Sequence, residues 1–513
     1  MENKISETFA NDLKSSLVVF LVALPLCLGI AIASGAPPMS GLIAGILGGI
    51  VVGAISKSSV SVSGPAAGLT VIVLDSITTL GTFPLFLGAL VAAGIIQFFL
   101  GIAKAGVIGY YFPNAVIKGM LTAIGLILIL KQIPHALGYD KDFLGDFAFN
   151  QADQHNTFSE IYYAFVYFSP GAIPIVLLSL GLILFFERPV IKKNRFLGFV
   201  PGALWAVLAS IGLNNLYKGI KPDWVLDNEH LVILPTLSGW KELPTLLTFP
   251  EFDLITTSSF WVVAVTLAVI GSIETLLSIE AGDKMDPYKR STPTSKELIA
   301  QGIGNTVSGF VGGLPITAVI VRTSANIASG AKTKLSTILH GFLLLALVLS
   351  IPGLLNQIPL SGLAAVLLVV GFKLAKPALF VNEYKKGWDQ FLPFLVTVVA
   401  ILLTDLLVGI GIGMVVGLFF VIKTNFNRSV LVTEHKGNYL IKLQKDVSFL
   451  NKALLKKELS QIPDGSKVVL NAALARFIDH DIQDVLNDFI SSASSKNITI
   501  LIEGYSFYKN EDL

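Results

Sequence analysis

Apolar stretches long enough to cross a bilayer, or half of one, recur along most of the chain, separated by short polar connectors. They begin near Ser16, Gly41, Pro65, Phe83, Asn114, Gly171, Gly198, Ser258, Leu298, Thr317, Leu335, Leu360, Phe391 and Leu407. The pattern predicts about fourteen membrane elements, and the last two, divided at Asp405 and Gly409, read equally as one long hairpin. After Lys423 the pattern becomes that of a water-soluble domain. Residues 438–443 alternate as a strand, 451–460 read as an amphipathic helix, 467–470 as an apolar strand, 481–490 as a second helix and 498–502 as a further strand. The expected organisation is a cytoplasmic N-terminal segment (residues 1–12), a membrane domain (13–425) and a small α/β domain (430–513).

Two apolar runs are broken by glycine and proline, one through Ser61, Gly64, Pro65 and Gly68, the other through Gly312, Gly313, Pro315 and Arg322. Each is expected to start as unwound or strand-like chain, with its proline at or just before a helix start. Irregular backbone at membrane depth is tolerated only where it is buried in protein or lines a watery cavity, so such segments point to a binding site. They are third in the first seven runs and third in the second seven. Because seven is odd, the second set enters the membrane in the opposite sense, which predicts an inverted repeat. Two helix N-termini would then meet near the midplane, with free N–H groups and positive dipole ends that suit an anion.

Connections between even and odd runs carry dense positive charge: Arg188, Lys192, Lys193 and Arg195; Lys284, Lys289, Arg290 and Lys296; Lys373, Lys376, Lys385 and Lys386. The positive-inside rule makes these loops cytoplasmic and, with an even number of crossings, places both termini there. The long connections 131–170 and 215–257 are then extracytoplasmic. Trp224, Trp240 and Trp261 either form an interfacial belt or pack on their own loops. The first run reads as a retained span, since no basic segment of a cleaved signal precedes it.

At 53% hydrophobic and 14% charged residues the chain is excluded from the water-soluble class. A net charge of +2 spread by topology gives no nucleic-acid surface. The single cysteine, Cys27, excludes an intramolecular disulfide and a multi-cysteine metal site. No nucleotide loop, catalytic triad or metal motif is present in the sequence, so neither an enzyme nor a cofactor is expected.

Acids within spans are expensive and usually serve a pathway. Glu274, with Ser278 four residues on along the same helical face, is thus a candidate for ion coupling or for positioning the site. The alternative is a structural acid that pairs with Arg322 or caps a broken helix. Arg322, just after the second break, could hold an oxyanion with its planar donors, snorkel to a headgroup, or pair with Glu274. Thr70 and Thr317 could supply hydroxyls or satisfy freed backbone. Asp75 is a candidate for lining a path, Asp405 for an interface or hinge, and His135 and His340 for satisfied or exposed histidines.

The ordered set of Asp12, Ala23, Pro25, Ser34, Gly35, Pro37 and Pro38, then Ser63, Gly64 and Pro65, then Gly271, Glu274 and Ser278, and finally Gly312, Gly313, Pro315, Arg322, Thr323 and 330–333 resembles the SulP family of anion transporters. Residues 468–471 and 477–479 resemble the STAS domain that follows such transporters. The resemblance implies an all-α polytopic membrane domain of seven plus seven inverted spans with core and gate parts, a short α/β tail, and a homodimer in the cytoplasmic membrane. It implies substrate contacts at Ala66, Ala67 and Gly68 and at Ala318, Val319, Ile320 and Arg322, with Thr317 beside them, and a coupling-ion role for Glu274 and Ser278. Ile320 stands where sodium-coupled members carry a hydroxyl, and it offers no oxygen to a hard cation. A coupling proton or a counter-anion is therefore expected ahead of sodium. His480 and Asp481 stand where regulatory relatives carry a phosphorylatable serine.

These readings converge on a secondary active transporter of small inorganic oxyanions, of the sulfate or bicarbonate class, working by an elevator-like motion. A dicarboxylate or nucleobase symporter of the same fold is the alternative. A membrane-anchored regulator, whose tail would be the working part, is disfavoured by the shortness of that tail.

Overall fold

The computed structural model describes residues 2–141, 149, 156–189, 191, 200–234, 247–435 and 437–504. Lys192, Lys193, Arg195, Trp240 and the Gly198 start of the seventh run lie outside the described residues, as do residues 505–513 of the tail. The chain divides into two units, Met1–Met414 and Val415–Leu513.

The first unit is helical. In chain order it holds α1 (Glu2–Ala33), α2 (Pro38–Leu47), strand β1 (Ser63–Pro65), α3 (Thr70–Leu80), α4 (Phe83–Ile102) and α5 (Asn114–Leu137). There follow α6 (Thr157–Val166), α7 (Ala172–Phe186), α8 (Gly202–Ile220), α9 (Ser258–Met285) and α10 (Thr294–Val311). Strand β2 (Ile316–Ala318), α11 (Ile320–Ala328), α12 (Leu335–Ser350), α13 (Leu360–Leu374), α14 (Pro377–Tyr384), α15 (Trp388–Leu403) and α16 (Leu406–Ser429) complete the series. Helix α2 runs on through a π-helical stretch, Gly48–Val52, to Ile55. Six helices are long and apolar enough to cross a bilayer, with five shorter apolar helices among the described residues. Eleven of the fourteen apolar runs coincide with these helices, and the runs from near Gly198, Leu298 and Thr317 fall on α8, α10 and β2 with α11.

Two bundles emerge from the packing. Helix α1 lies against α2, α11 and α12, and α4 against α9 and α10; in the other bundle α5 lies against α13 and α15, and α7 against α8 and α13. Runs one to four and eight to eleven thus make one body, and five to seven with twelve and thirteen make the other, which the start of α16 joins against α15, where a Cβ on Gly409 would lie 2.5 Å from the Ile401 nitrogen. Small residues let the helix backbones touch, as membrane packing requires where lipid supplies no hydrophobic drive. A Cβ on Gly94 of α4 would lie 2.4 Å from the Thr306 nitrogen of α10, and one on Gly302 of α10 would lie 2.5 Å from the Phe98 nitrogen of α4.

The two broken runs meet as an antiparallel strand pair, with Ser63 opposite Ala318, Gly64 opposite Thr317 and Pro65 opposite Ile316. This corrects the expected place of the prolines. Pro65 ends a strand and Pro315 precedes one, so each helix begins several residues later, α3 at Thr70 and α11 at Ile320. The fixed proline φ and missing N–H suit these short edges better than a helix start would require. Gly312, at φ 87°, ends α10 in the left-handed region and turns the chain into β2.

Connections also depart from expectation. Helix α5 continues to Leu137 and the short helix α6 is started by a capping box from Asn156 and Ser159, so the 131–170 stretch is largely helical where described. Residues 377–384 form α14 between the cytoplasmic-type lysines.

The second unit carries a four-stranded sheet of order β3 (Val430–His435), β4 (Asn438–Val447), β5 (Lys467–Ile478) and β6 (Thr499–Glu503), with the first pair antiparallel and the others parallel. Helices α17 (Lys452–Ser460) and α18 (His480–Ala493) make the crossovers. Ile441, Leu443, Leu455, Val468, Leu470, Ile482 and Leu486 form its core. The expected strands and helices are all present, and β3 is additional.

Candidate functional site

Helix α10 is apolar except for one polar face. Glu297, Gln301, Asn305 and Ser308, spaced by four, four and three residues, are all buried there. Asn305 holds β2 by both backbone groups of one residue: its Oδ1 accepts from the Ile316 N–H at 2.6 Å, and its Nδ2 donates to the Ile316 carbonyl at 3.0 Å. The same Nδ2 donates to Gln97 Oε1 at 2.8 Å, and Gln97 Nε2 donates to Ser272 Oγ at 3.2 Å. Gln301 Nε2 donates to Ser63 Oγ of β1 at 2.7 Å, and Ser308 Oγ donates to the Leu314 carbonyl at 2.7 Å. At the foot of the ladder Ser56 Oγ donates to Glu297 Oε2 at 2.5 Å. Such bonds answer the requirement that non-helical backbone in a membrane be satisfied by protein.

Sequence reading passed over this ladder. Its signal, polar residues at helical spacing in an apolar run, was visible.

Further bonds tie the two strand entries to each other. The Val319 N–H donates to the Val62 carbonyl at 2.9 Å and the Ala66 N–H to the Pro315 carbonyl at 3.3 Å. Thr323 Oγ1 accepts from the Val62 N–H at 3.1 Å, and Asn326 Nδ2 donates to the Val60 carbonyl at 2.8 Å. Thr275 Oγ1 accepts from the Ala318 N–H at 3.3 Å.

A cavity of about 400 Å³ opens where the two helix starts emerge from the strand pair. From the first bundle it is lined by Ala67, Gly68 and Thr70, by Glu274 and Ser278, and by Val319, Ile320 and Val321. Ile124 and Ile127 of α5 and residues 405–408 at the start of α16 face them. Thus Ala67, Gly68, Val319, Ile320, Glu274 and Ser278, six of the residues singled out in the sequence, share one wall. No side chain caps α11 at Val319, so the N–H groups of its first turn are left for other partners. The Gly68 backbone lies against the Glu274 carboxylate, whose Oε2 has no protein partner. A Cβ on Gly68 would lie 3.1 Å from Glu274 Oε1, a tight approach that glycine relieves.

Ala66, Thr317, Ala318 and Arg322 are not on that wall. Ala66 and Ala318 are consumed by the strand crossing, and the fully buried Thr317 hydroxyl has no protein partner. Arg322 is fully buried behind the strands, with Nη2 3.1 Å from Cys27 Sγ. Its Nη1 occupies the space left by the missing side chain of Gly64, where a Cβ would lie 2.0 Å away. Neither a pairing with Glu274 nor snorkelling describes it. Its charge sits behind the crossed backbone, and its Nε and Nη1 have no protein acceptor.

The remaining candidates fall elsewhere. Thr70 Oγ1 donates to the Ala67 carbonyl at 2.8 Å and so satisfies freed backbone. Asp75 is exposed and off the cavity wall. His340 is fully buried and neither ring nitrogen has a protein partner. His135 is satisfied: its Nδ1 lies 2.5 Å from Asp140 Oδ1, while His230 Nδ1 lies 2.6 Å from Asp140 Oδ2. Burial opposes ionisation of Asp140, but the hydrogen bonds from the two histidines outweigh it and hold the carboxyl below its ordinary range. The bond to Asp140 in turn raises His230 above the usual imidazole value, against a smaller effect of burial. Trp224 packs on its own loop, edge-on to Tyr217 at 5.9 Å, with the Lys221 ammonium 3.9 Å from its ring centre. Trp261, at the start of α9, is exposed and donates to the Ile255 carbonyl at 2.9 Å.

Electrostatically the cavity combines helix starts, a buried guanidinium behind them and a carboxylate beside them. The first two attract an anion. The third opposes one.

Against known proteins, residues 9–400 match the sulfate permease family. YvdB of Bacillus subtilis, named provisionally as a sulfate transporter, is 29% identical over 421 residues, covering 81% of this chain and 74% of the relative. The bicarbonate transporter BicA of Picosynechococcus is 25% identical over 423 residues, covering 81% of this chain and 70% of the relative. Among solved structures, the transmembrane domain of a cyanobacterial BicA superposes with a TM-score of 0.56 at 24% identity, over 79% of this chain and 97% of that one. The overall structure of SLC26A9 superposes with a TM-score of 0.68 at 14% identity, over 98% of this chain and 85% of that one, so the likeness of fold reaches into the C-terminal α/β region.

Proposed function

Because the chain belongs to the sulfate permease family, we propose that it is a secondary active transporter of small inorganic oxyanions, of the sulfate or bicarbonate class, in the cytoplasmic membrane. The observation that carries this reading is the single cavity onto which two helix starts from opposed halves of the chain open together. The anion is held by first-turn backbone donors of α11 at Ile320 and Val321, with Gly68 at the other helix start beside them, and Ala66, Thr317, Ala318 and Arg322 support it from behind. Related proteins carry names that specify sulfate and bicarbonate, which is the chemistry that backbone N–H groups and dipole ends serve.

Transport of this kind requires two packings of the bundles around one site, and no covalent step. The cavity wall is divided between the bundles, so displacement of α1–α4 and α9–α12 against the other helices would carry the site from one side to the other. Glu274 takes up a proton with the anion, or the anion exchanges against a counter-anion; Ile320 gives sodium no ligand. Homodimerisation and cytoplasmic termini complete the proposal. A dicarboxylate or a nucleobase is less well served, since beyond Glu274 and Ser278 the first-bundle wall offers small or aliphatic side chains and one threonine already bonded to backbone.

The test is uptake of labelled sulfate and bicarbonate into proteoliposomes, with and without sodium and a pH gradient. Saturable uptake of either anion, driven by the proton gradient or by internal anion and indifferent to sodium, supports the reading. Uptake of neither anion, or transport of uracil or fumarate alone, rejects it.

A further inference from the structure

The wall of the cavity opposite Gly68 and Ile320 is apolar at Ile124, Ile127, Leu406, Leu407 and Val408, and acidic at Asp405. This wall contains a third helix start, that of α16, which differs from the other two in being capped. Asp405 Oδ1 accepts from the Leu407 N–H at 2.8 Å and from the Val408 N–H at 2.9 Å. The cap consumes the donors that would otherwise attract an anion and leaves a carboxylate at the cavity. Among the described residues on the wall, Glu274 and Asp405 are the ionisable side chains, one on each bundle. Glu274 is buried with the Gly68 backbone against it, whereas Asp405 is exposed.

We propose that Asp405 is a specificity-determining residue whose carboxylate on the second-bundle wall favours singly charged over doubly charged anions. The inference rests on the anion-transport reading above and narrows its substrate class toward monoanions such as bicarbonate. A fixed negative charge penalises a dianion about twice as much as a monoanion at the same position, so the ratio of affinities, and not their absolute size, carries its signature. That ratio is insensitive to small changes in helix stability. Asparagine and serine both cap helices well, so Asp405→Asn and Asp405→Ser remove the charge while keeping an acceptor for the Leu407 and Val408 N–H groups.

The experiment compares the full-length protein and both variants in proteoliposomes, measuring apparent affinities for labelled bicarbonate and labelled sulfate on the same preparation. In both variants the affinity for sulfate relative to bicarbonate should rise on the order of fivefold, as expected for one unit charge acting across a water-lined cavity. High salt should shrink the difference from wild type, because a water-exposed charge is screened. An unchanged ratio in both variants overturns the inference and leaves the transport reading standing. A wild-type protein that carries neither anion rejects the transport reading, and this inference with it.

Discussion

Replacing Asn305 by leucine removes two hydrogen bonds from one backbone residue of β2 while nearly conserving side-chain volume, so little cavity is created. The Ile316 N–H and carbonyl, both inside the membrane domain, would be left without those partners. Side-chain hydrogen bonds in membrane proteins are worth roughly 0.6–2 kcal/mol each, and leaving a buried group unpaired costs about 1–3 kcal/mol. The two together put the loss at about 2–4 kcal/mol. Since β2 leads directly into the start of α11, that loss should fall on the geometry of the site. If all of it appears in binding, anion affinity drops by roughly 30-fold to a thousandfold. Ser308→Ala, which removes one bond to the Leu314 carbonyl before the strand, is the graded control and should cost about 1 kcal/mol. The assay is anion binding to detergent-purified protein, with thermal unfolding of the same samples as a check on global stability. Wild-type affinity in Asn305→Leu, with the helices intact, would show that the ladder on α10 does not set the site and would refute the reasoning.

Three further outcomes are expected. Glu274→Gln should flatten the pH dependence of uptake in proteoliposomes, because it removes the one ionisable side chain on the first-bundle wall; a dependence as steep as wild type would assign coupling elsewhere. Gly64→Val should abolish anion binding and lower the thermal midpoint, because a side chain there collides with the buried Arg322 guanidinium; a fully functional variant would show that the guanidinium does not need that place. His230 is raised by Asp140, so their interaction stabilises the folded state fully below the unfolded imidazole value, down to the acid range where Asp140 protonates, and it is lost as pH rises through the raised folded value. Hydrogen exchange of residues 227–231, corrected for intrinsic rate, should therefore loosen on passing from mildly acidic to alkaline pH, and His230→Asn should remove that change; equal protection across the range would contradict it.

Much of the membrane unit was legible because its helices are apolar over their whole length, and the fourteen runs each found an element. The glycine and proline breaks pointed to the cavity for a physical reason, since irregular chain at that depth has few other uses. What they could not give was the pairing. Three residues of β1 meet three of β2 some 250 positions away, and neither segment is long enough to show a strand period, so the prolines looked like helix starts. Arg322 illustrates the other limit. Its proximity to the break was readable, but its direction depends on the space at Gly64 and on Cys27 from α1, both remote in sequence. The tail's strands and helices followed their periods, while β3 was hidden by its position directly after the apolar α16. Glu297, Gln301, Asn305 and Ser308 were visible as letters, but in a span such polar residues read equally as a path or as glue.

The central claim, that two opposed helix starts share one anion site, is tested most directly by locating an anion. Crystals of the protein grown with selenate, a heavy analogue of sulfate, would reveal the ion by the anomalous scattering of selenium. The account predicts one strong peak in the cavity between Gly68 and Ile320, lost in Asn305→Leu. A selenium peak away from both helix starts, in protein that still transports, would contradict it.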